Sequence, residues 1–215
     1  MSGECKQTLS GHSGSVNSAV FSADESLILT ASVDKTAKIW DRMSGECNQT
    51  FSGHFFMVKS AEFSADASLI LTASWDKTAK IWDRMSGECK QTLSGHSGSV
   101  NSAVFSADAS LILTASFDNT AKIWDCMSGE CRQTLSGHTG GLKSAVFSDD
   151  ESLILTASVD KTAKIWDRMS GECNQTFSGH FFMVKSAEFS ADASLILTAS
   201  WDKTAKIWDR MSGEC

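Results

Sequence analysis

Apolar residues along this chain fall in short bursts separated by polar turns, and the bursts recur. Cys5-Lys6-Gln7-Thr8-Leu9 alternates weakly and is polar on one side, whereas Val16-Asn17-Ser18-Ala19-Val20-Phe21 follows a Gly/Ser-rich turn. Leu27-Ile28-Leu29-Thr30-Ala31-Ser32 is a nearly continuous apolar run, and Thr36-Ala37-Lys38-Ile39-Trp40-Asp41 leads into a Met-Ser-Gly-Glu turn. Runs of this length predict four β-strands, the first an outer strand and the third covered on both faces. Turn signals spaced about 8–12 residues apart mark an all-β chain.

The set of four returns with a period of 42 residues, most strictly at Lys38-Ile39-Trp40-Asp41, which reappears at 80–83, 122–125, 164–167 and 206–209. The units run 1–42, 43–84, 85–126, 127–168 and 169–210, and 211–215 begins a sixth, so the 215 residues read as one repeat domain. Units two and five are identical at every position, which implies recent copying within a gene or deliberate construction. A four-stranded unit of this length without a helix matches a propeller blade rather than a helical solenoid.

The chain resembles the WD-repeat family. In the first unit Gly11-His12 opens the core, Ser32-Val33-Asp34 precedes the last strand and Trp40-Asp41 closes it. Two features depart from the family pattern. Its Pro-Asp-Gly turn is here Ala23-Asp24-Glu25, Ala-Asp-Ala, or Asp149-Asp150-Glu151, and its third-strand Gly is Ala31. The resemblance implies an all-β propeller of five four-stranded antiparallel blades. Because the family usually closes with seven, three states stay open: Cys5–Leu9 completes a five-bladed ring beside Thr204–Asp209, several chains pool their blades, or the chain is a piece of a longer propeller.

Each unit holds a His, a Ser and an Asp, the parts of a hydrolytic triad. An enzyme needs one site and a repeated fold needs one staple per blade, so five equal copies favour structure over catalysis. The resemblance implies buried tetrads, His12/Ser32/Asp34/Trp40, His54/Ser74/Asp76/Trp82, His96/Ser116/Asp118/Trp124, His138/Ser158/Asp160/Trp166 and His180/Ser200/Asp202/Trp208. The lone histidines lack zinc-motif spacing and no phosphate loop is present, so no enzyme, metal or cofactor is expected.

The units differ at a few positions. The turn after Gly-His is Ser13-Gly14-Ser15, Phe55-Phe56-Met57, Ser97-Gly98-Ser99, Thr139-Gly140-Gly141 and Phe181-Phe182-Met183 in turn, and Val33, Trp75, Phe117, Val159 and Trp201 precede the tetrad Asp. The family resemblance puts both places on one rim around the channel, giving an aromatic patch at Phe55, Phe56, Met57 and Trp75 and a second at Phe181, Phe182, Met183 and Trp201, with Phe117 also expected to bind the partner. Aromatics in a turn that elsewhere is Ser-Gly-Ser suit an interface, or pack against neighbouring blades. Glu62 and Glu188 replace Val20, Val104 and Val146 in the innermost strand, where a carboxylate must face a wet channel or find a cation such as Lys59 or Lys185.

Composition narrows the function. A net charge of −7 with basic residues scattered through the repeats argues against a nucleic-acid partner. No signal peptide or membrane-length apolar run is present, so an intracellular, cytoplasmic protein is expected and the sequons at Asn48 and Asn174 are chance matches. Six of the seven cysteines occupy one repeat position and read as semi-buried reduced thiols, while Cys126 replaces an Arg and faces Cys131 across a short loop. The sequence therefore points to a non-catalytic scaffold holding a protein partner on the aromatic rim, with self-association through unpaired blade faces as a further contact. The alternatives are a glycan- or small-ligand-binding propeller and a structural or designed array with no partner.

Overall fold

The computed structural model describes residues 3–215. Its strands are six residues long except the last, which has five. The first sheet contains β1 (Val16–Phe21), β2 (Leu27–Ser32), β3 (Thr36–Asp41) and β4 (Cys47–Ser52). The second contains β5 (Val58–Phe63), β6 (Leu69–Ser74), β7 (Thr78–Asp83) and β8 (Cys89–Ser94). In the third are β9 (Val100–Phe105), β10 (Leu111–Ser116), β11 (Thr120–Asp125) and β12 (Cys131–Ser136). The fourth holds β13 (Leu142–Phe147), β14 (Leu153–Ser158), β15 (Thr162–Asp167) and β16 (Cys173–Ser178), and the fifth β17 (Val184–Phe189), β18 (Leu195–Ser200) and β19 (Ala205–Asp209). All pairings are antiparallel between chain neighbours, so every sheet is a meander.

The sheets are offset from the sequence units by one strand. The Cys-led strand of each unit pairs with the Trp-Asp strand of the unit before it, as Thr36–Asp41 pairs with Cys47–Ser52. This corrects two expectations. The fifth sheet has three strands rather than four, and Cys5–Leu9 forms no strand and does not pair with β19. The first segment still follows an outer-strand track: the Gln7 amide lies against Gly45 as the Gln49 amide lies against Gly87.

The core lies between sheets. Leu71, Ala73, Ala79, Ile81 and Leu93 of the second sheet are covered by Val100, Ala103, Phe105, Ile112 and Trp124 of the third, and equivalent residues make the other three junctions. At the two ends the same faces are uncovered. Val16 and Phe21 are exposed on the first sheet, and Leu195, Leu197 and Ile207 on the last.

Short hydrogen-bonded turns replace the glycines that the family pattern leads one to expect. Glu25, Ala67, Ala109, Glu151 and Ala193 sit at φ of 53–57°, a left-handed conformation that is costly for residues with a Cβ. The preceding Asp offsets this: Asp24 Oδ1 accepts from Ser22 Oγ at 2.6 Å and from the Ser26 N–H at 3.0 Å. These bonds hold the exposed Asp24 carboxyl down at about 2.

Inside each sheet runs a one-way hydrogen-bond chain, and its second member differs from the sequence expectation. Trp124 Nε1–H donates to Thr114 Oγ1 at 2.8 Å, Thr114 meets His96 Nε2 at 2.7 Å, and His96 Nδ1 meets Asp118 Oδ2 at 2.8 Å. The other four tetrads are corrected in the same way. Trp40 donates to Thr30, Trp82 to Thr72, Trp166 to Thr156 and Trp208 to Thr198, each at 2.8–2.9 Å, and none of these indoles bonds to the serine expected of it. The serines Ser32, Ser74, Ser116, Ser158 and Ser200 instead accept from the N–H of the Asp two residues on and donate to the preceding loop, as Ser116 Oγ does to Gly98 O at 3.0 Å. Register explains the difference. Trp124 lies opposite Ile112, so Thr114 is its diagonal neighbour, whereas Ser116 lies four residues along the strand, ~13 Å at ~3.3 Å per residue.

The tryptophans also do more than staple their own sheets. The Trp82 ring packs with Leu29, Ile39 and Phe51 of the first sheet, Trp166 with Leu113, Ile123 and Leu135 of the third, and Trp208 with Leu155, Ile165 and Phe177 of the fourth. Each of these rings therefore closes the junction to the sheet before it. One side chain serves both the polar chain within a sheet and the apolar core between sheets.

The indole can only donate and the carboxylate only accept, which sets His96 as the neutral Nδ1–H tautomer with Nε2 receiving the threonine proton. Burial lowers the His96 pKa in spite of Asp118 beside it. For Asp118 burial works the other way, raising the carboxyl, but hydrogen bonds from Thr120 and His96 outweigh it and hold the group at about 2. Thr114→Val is nearly isosteric and strands two buried polar groups, so it should cost about 2–4 kcal/mol in denaturant unfolding. Ser116→Ala should cost about 1 kcal/mol. Equal losses from the two variants would assign the link to the serine.

Candidate functional site

The same aspartates that end the buried chains also hold the variable loops. The second carboxylate contact of each is the first backbone N–H of the loop after His: Ser13, Phe55, Ser97, Thr139 and Phe181 all donate to Asp Oδ2 at 2.9–3.0 Å. The loop closes on the residue before the Asp, as Trp75 N–H donates to Met57 O at 3.1 Å and Trp201 N–H to Met183 O at 3.1 Å. Five loops are therefore pinned at the same two backbone points while their side chains differ. The anchoring bonds themselves involve no loop side chain.

The chain's seven tryptophans thus divide into two kinds. Trp40, Trp82, Trp124, Trp166 and Trp208 are at most 3% exposed and offer nothing to a partner, while Trp75 is half-buried and Trp201 is exposed. Phe55 and Phe181 are each 85% exposed, and Phe56, Phe182 and Trp201 are exposed beside them. Phe56 stacks on Trp75 with ring centroids 6.5 Å apart and planes 12° off parallel, and Phe182 stacks on Trp201 in the same way at 6.5 Å and 10°. Met57 and Met183 are half-buried next to them. The first patch takes in Phe117, which the sequence also assigned to partner binding, and reaches beyond it to Asn101 and Lys143. Phe117 of the next unit meets Trp75 edge-on at 6.0 Å, the Trp75 indole N–H donates to Asn101 Oδ1 at 3.2 Å, and Lys143 Nζ sits 4.3 Å from the Phe117 ring centroid. Phe56, Trp75, Phe117 and Lys143 form one continuous run across three units.

Neighbouring units fit along this run by size. Ser99 follows Trp75, its hydroxyl donating to Trp75 O at 3.3 Å. Gly141 follows Phe117, where a Cβ would come within 3.0 Å of the Phe117 Cα and strike its ring. That close approach, and not a special φ, is what the glycine allows.

The inner strands correct the expectation for the glutamates. Glu62 finds no lysine. Its Oε1 accepts from the Phe105 N–H of β9 at 3.3 Å, and burial raises the carboxyl to about 7. Glu188 is exposed, since no further sheet covers β17. The lysines lie elsewhere. Lys59, Lys143 and Lys185 share one position on β5, β13 and β17 that Asn17 and Asn101 occupy on β1 and β9. Sequence reasoning passed over this column, although its alternation of Asn with Lys was visible.

The thiols also differ from expectation. Cys5, Cys47, Cys89, Cys131, Cys173 and Cys215 are free and exposed, and Cys126 is free and buried in the junction of the second and third sheets, unpaired with Cys131. Burial raises the Cys126 thiol, which suits a core residue better than a reactive one.

Because the folded state favours protonated Glu62, its contribution to stability is full below the unfolded value of 4.5 and is lost as pH rises through about 7. Glu62→Gln keeps the acceptor for Phe105 and removes the charge. It should raise stability by about 2 kcal/mol at about pH 8 and leave it nearly unchanged at about pH 4, read from thermal melts at both. Equal shifts at the two pH values would place the carboxylate in water.

Comparison with known proteins agrees with this architecture. A stretch of 39 residues is 54% identical to pre-mRNA-processing factor 19 homolog 2 of Arabidopsis thaliana, covering 18% of this chain and 7% of that protein. The family model described as "WD domain, G-beta repeat" matches residues 3–41, 45–83, 87–125, 129–167 and 171–209. Five matches in tandem, on sheets built to one plan, mean that this chain belongs to the WD-repeat family.

Proposed function

We propose that the chain is a protein-interaction scaffold that seats its partner on the run of Phe56, Trp75 and Phe117. WD-repeat proteins are generally non-catalytic scaffolds whose domains bind other proteins, and the sequence match to a processing factor is consistent with a part in an assembly. The observation that supports the site is the pinned loop. Phe55 and Phe56 stand on a backbone whose counterpart in unit one carries Ser13 and Gly14, so their apolar surface has no role in holding the sheet. Stacked aromatics held rigid lose little entropy on binding and suit an interface hot spot. A Phe56→Ser/Trp75→Ser double variant should keep its melting temperature within a few degrees of the parent, because the residues are exposed or half-buried, and lose partner capture by at least about tenfold. Loss of folded protein would assign the aromatics to packing.

A second contact, self-association, is favoured by a different observation. Unit five is identical to unit two, and unit one differs from unit three only at Glu25, Val33, Lys35 and Arg42 against Ala109, Phe117, Asn119 and Cys126. The exposed faces at Leu197 and Ile207 and at Val16 and Phe21 thus repeat most of the two halves of the buried junction between the second and third sheets, without the strand that carries Leu93 and with Arg42 where Cys126 stands. We propose that a second copy's first sheet docks on the fifth sheet of this chain, a head-to-tail contact. Light scattering of the purified chain should give a dimer or larger, and Ile207→Asp should return it to monomer. A monomeric parent removes this reading and leaves the rim site untouched.

A further inference from the structure

One column of the inner strands holds positive charge that nothing in the fold neutralises. Asn17, Lys59, Asn101, Lys143 and Lys185 each follow the first residue of an inner strand, where the pairing register shifts and a bulge re-aims the side chain. The asparagines use the position to stitch sheets together. Asn17 Nδ2 donates to Val58 O at 2.8 Å, and Asn101 Nδ2 donates to Leu142 O at 2.6 Å. The lysines do not. Among the described residues the ion pairs involve the His-Asp couples and Arg132 with Asp125, and none involves Lys59, Lys143 or Lys185.

The three lysines stand at one register position on inner strands that pack in sequence, β5 on β9, β9 on β13 and β13 on β17, although they come from units two, four and five. Burial lowers Lys59, with Lys185 adding repulsion; burial likewise lowers Lys143, with Lys185 and Lys59 both adding to it. Glu62 and Glu188 lie three residues after Lys59 and Lys185; Glu62 is turned toward β9 and bonded to the Phe105 N–H, and Glu188 is exposed. A chain with a net charge of −7 thus gathers three cations at one place. The place adjoins the aromatic run, since Lys143 lies on the face of Phe117, which meets Trp75. Lys59 and Lys143 are half-buried and Lys185 is exposed; the half-buried charges are weakly screened, so an anion arriving there relieves repulsion and gains attraction together.

We propose that Lys59, Lys143 and Lys185 form an anion site on the inner strands that takes the carboxylates or phosphates of an acidic peptide. Its apolar neighbour lies along Phe117, Trp75 and Phe56. The apolar half rests on the rim reading above; the anionic half stands on the lysines alone. A peptide fits better than a nucleic acid, because three cations on a chain of net charge −7 match a few adjacent anions and make no track along a phosphate backbone.

The substitutions that test this already exist in the chain. Asn occupies the position in units one and three, so a triple variant, Lys59→Asn, Lys143→Asn and Lys185→Asn, keeps the fold and should melt no lower than the parent. Four probes are titrated onto the 215-residue chain by fluorescence anisotropy at low and moderate salt. They are a labelled peptide with three glutamates beside a leucine, its phosphoserine and glutamine counterparts, and a single-stranded oligonucleotide. The glutamate or phosphoserine peptide should bind at least about tenfold more tightly than the glutamine peptide. Salt should erode that difference, and the triple variant should abolish it. Whichever anionic peptide binds more tightly identifies the anion. Phe56→Ser/Trp75→Ser should weaken all three peptides alike, which separates failure of the rim from failure of the anion site. Equal binding of glutamate and glutamine peptides, wild-type affinity in the triple variant, no binding of either anionic peptide, or tighter binding of the oligonucleotide would each overturn the proposal.

Discussion

Every sheet in this protein hangs on a hydrogen-bond chain that can run in only one direction. Tryptophan can only give a proton, the carboxylate can only receive one, and threonine and neutral histidine pass the pattern between them. The direction matters because the chain crosses the sheet from the third strand to the loop before the first. At that loop the aspartate Oδ2 also accepts a backbone N–H, while its Oδ1 accepts from the threonine two residues on. The buried network therefore sets the geometry of an exposed surface. Scaffold and site meet at a single atom, the Oδ2 of each aspartate.

This coupling explains why side chains as different as Ser13 and Phe55 occupy equivalent places. What holds the loop is main chain to carboxylate, and it makes no demand on the side chain. Units can diverge at the rim without cost to the core, and they do so there and along the inner strands. Glu62 shows the limit of that freedom. It replaces a valine near the sheet junction and is tolerated with a carboxyl raised by burial and one backbone donor for company.

Much of the architecture was legible because the repeat is. The strand positions, the burial of Trp40, Trp82, Trp124, Trp166 and Trp208, and the pairing of Phe56 with Trp75 follow from comparing units of one chain. The link in the network was not legible. Thr30 and Ser32 are both polar residues on one face of β2, and only the register that sets Trp40 opposite Ile28 makes Thr30 the neighbour. The convergence of Lys59, Lys143 and Lys185 was hidden for a related reason. Spaced through the sequence they look scattered, and their shared place at the bulge of each inner strand shows only in the pairing register. Cys5–Leu9 failed as a strand because a strand needs a neighbour, and its sequence twins Cys47–Ser52 and Cys89–Ser94 have one.

The size matching between units has a consequence for how such an array can be assembled. Trp75 is followed by Ser99 and Phe117 by Gly141, while by position Val33 is followed by Met57 and Val159 by Met183. Large meets small, and small meets large, at each of the four joints. The units are therefore not interchangeable beads. Each one specifies what its successor must carry, so that a unit ending in Trp can be joined by one bearing Ser and not by a copy of itself bearing Met. The order of the repeats is written in these joints as a grammar. A duplicated or shuffled unit would be accepted only where the sentence still parses.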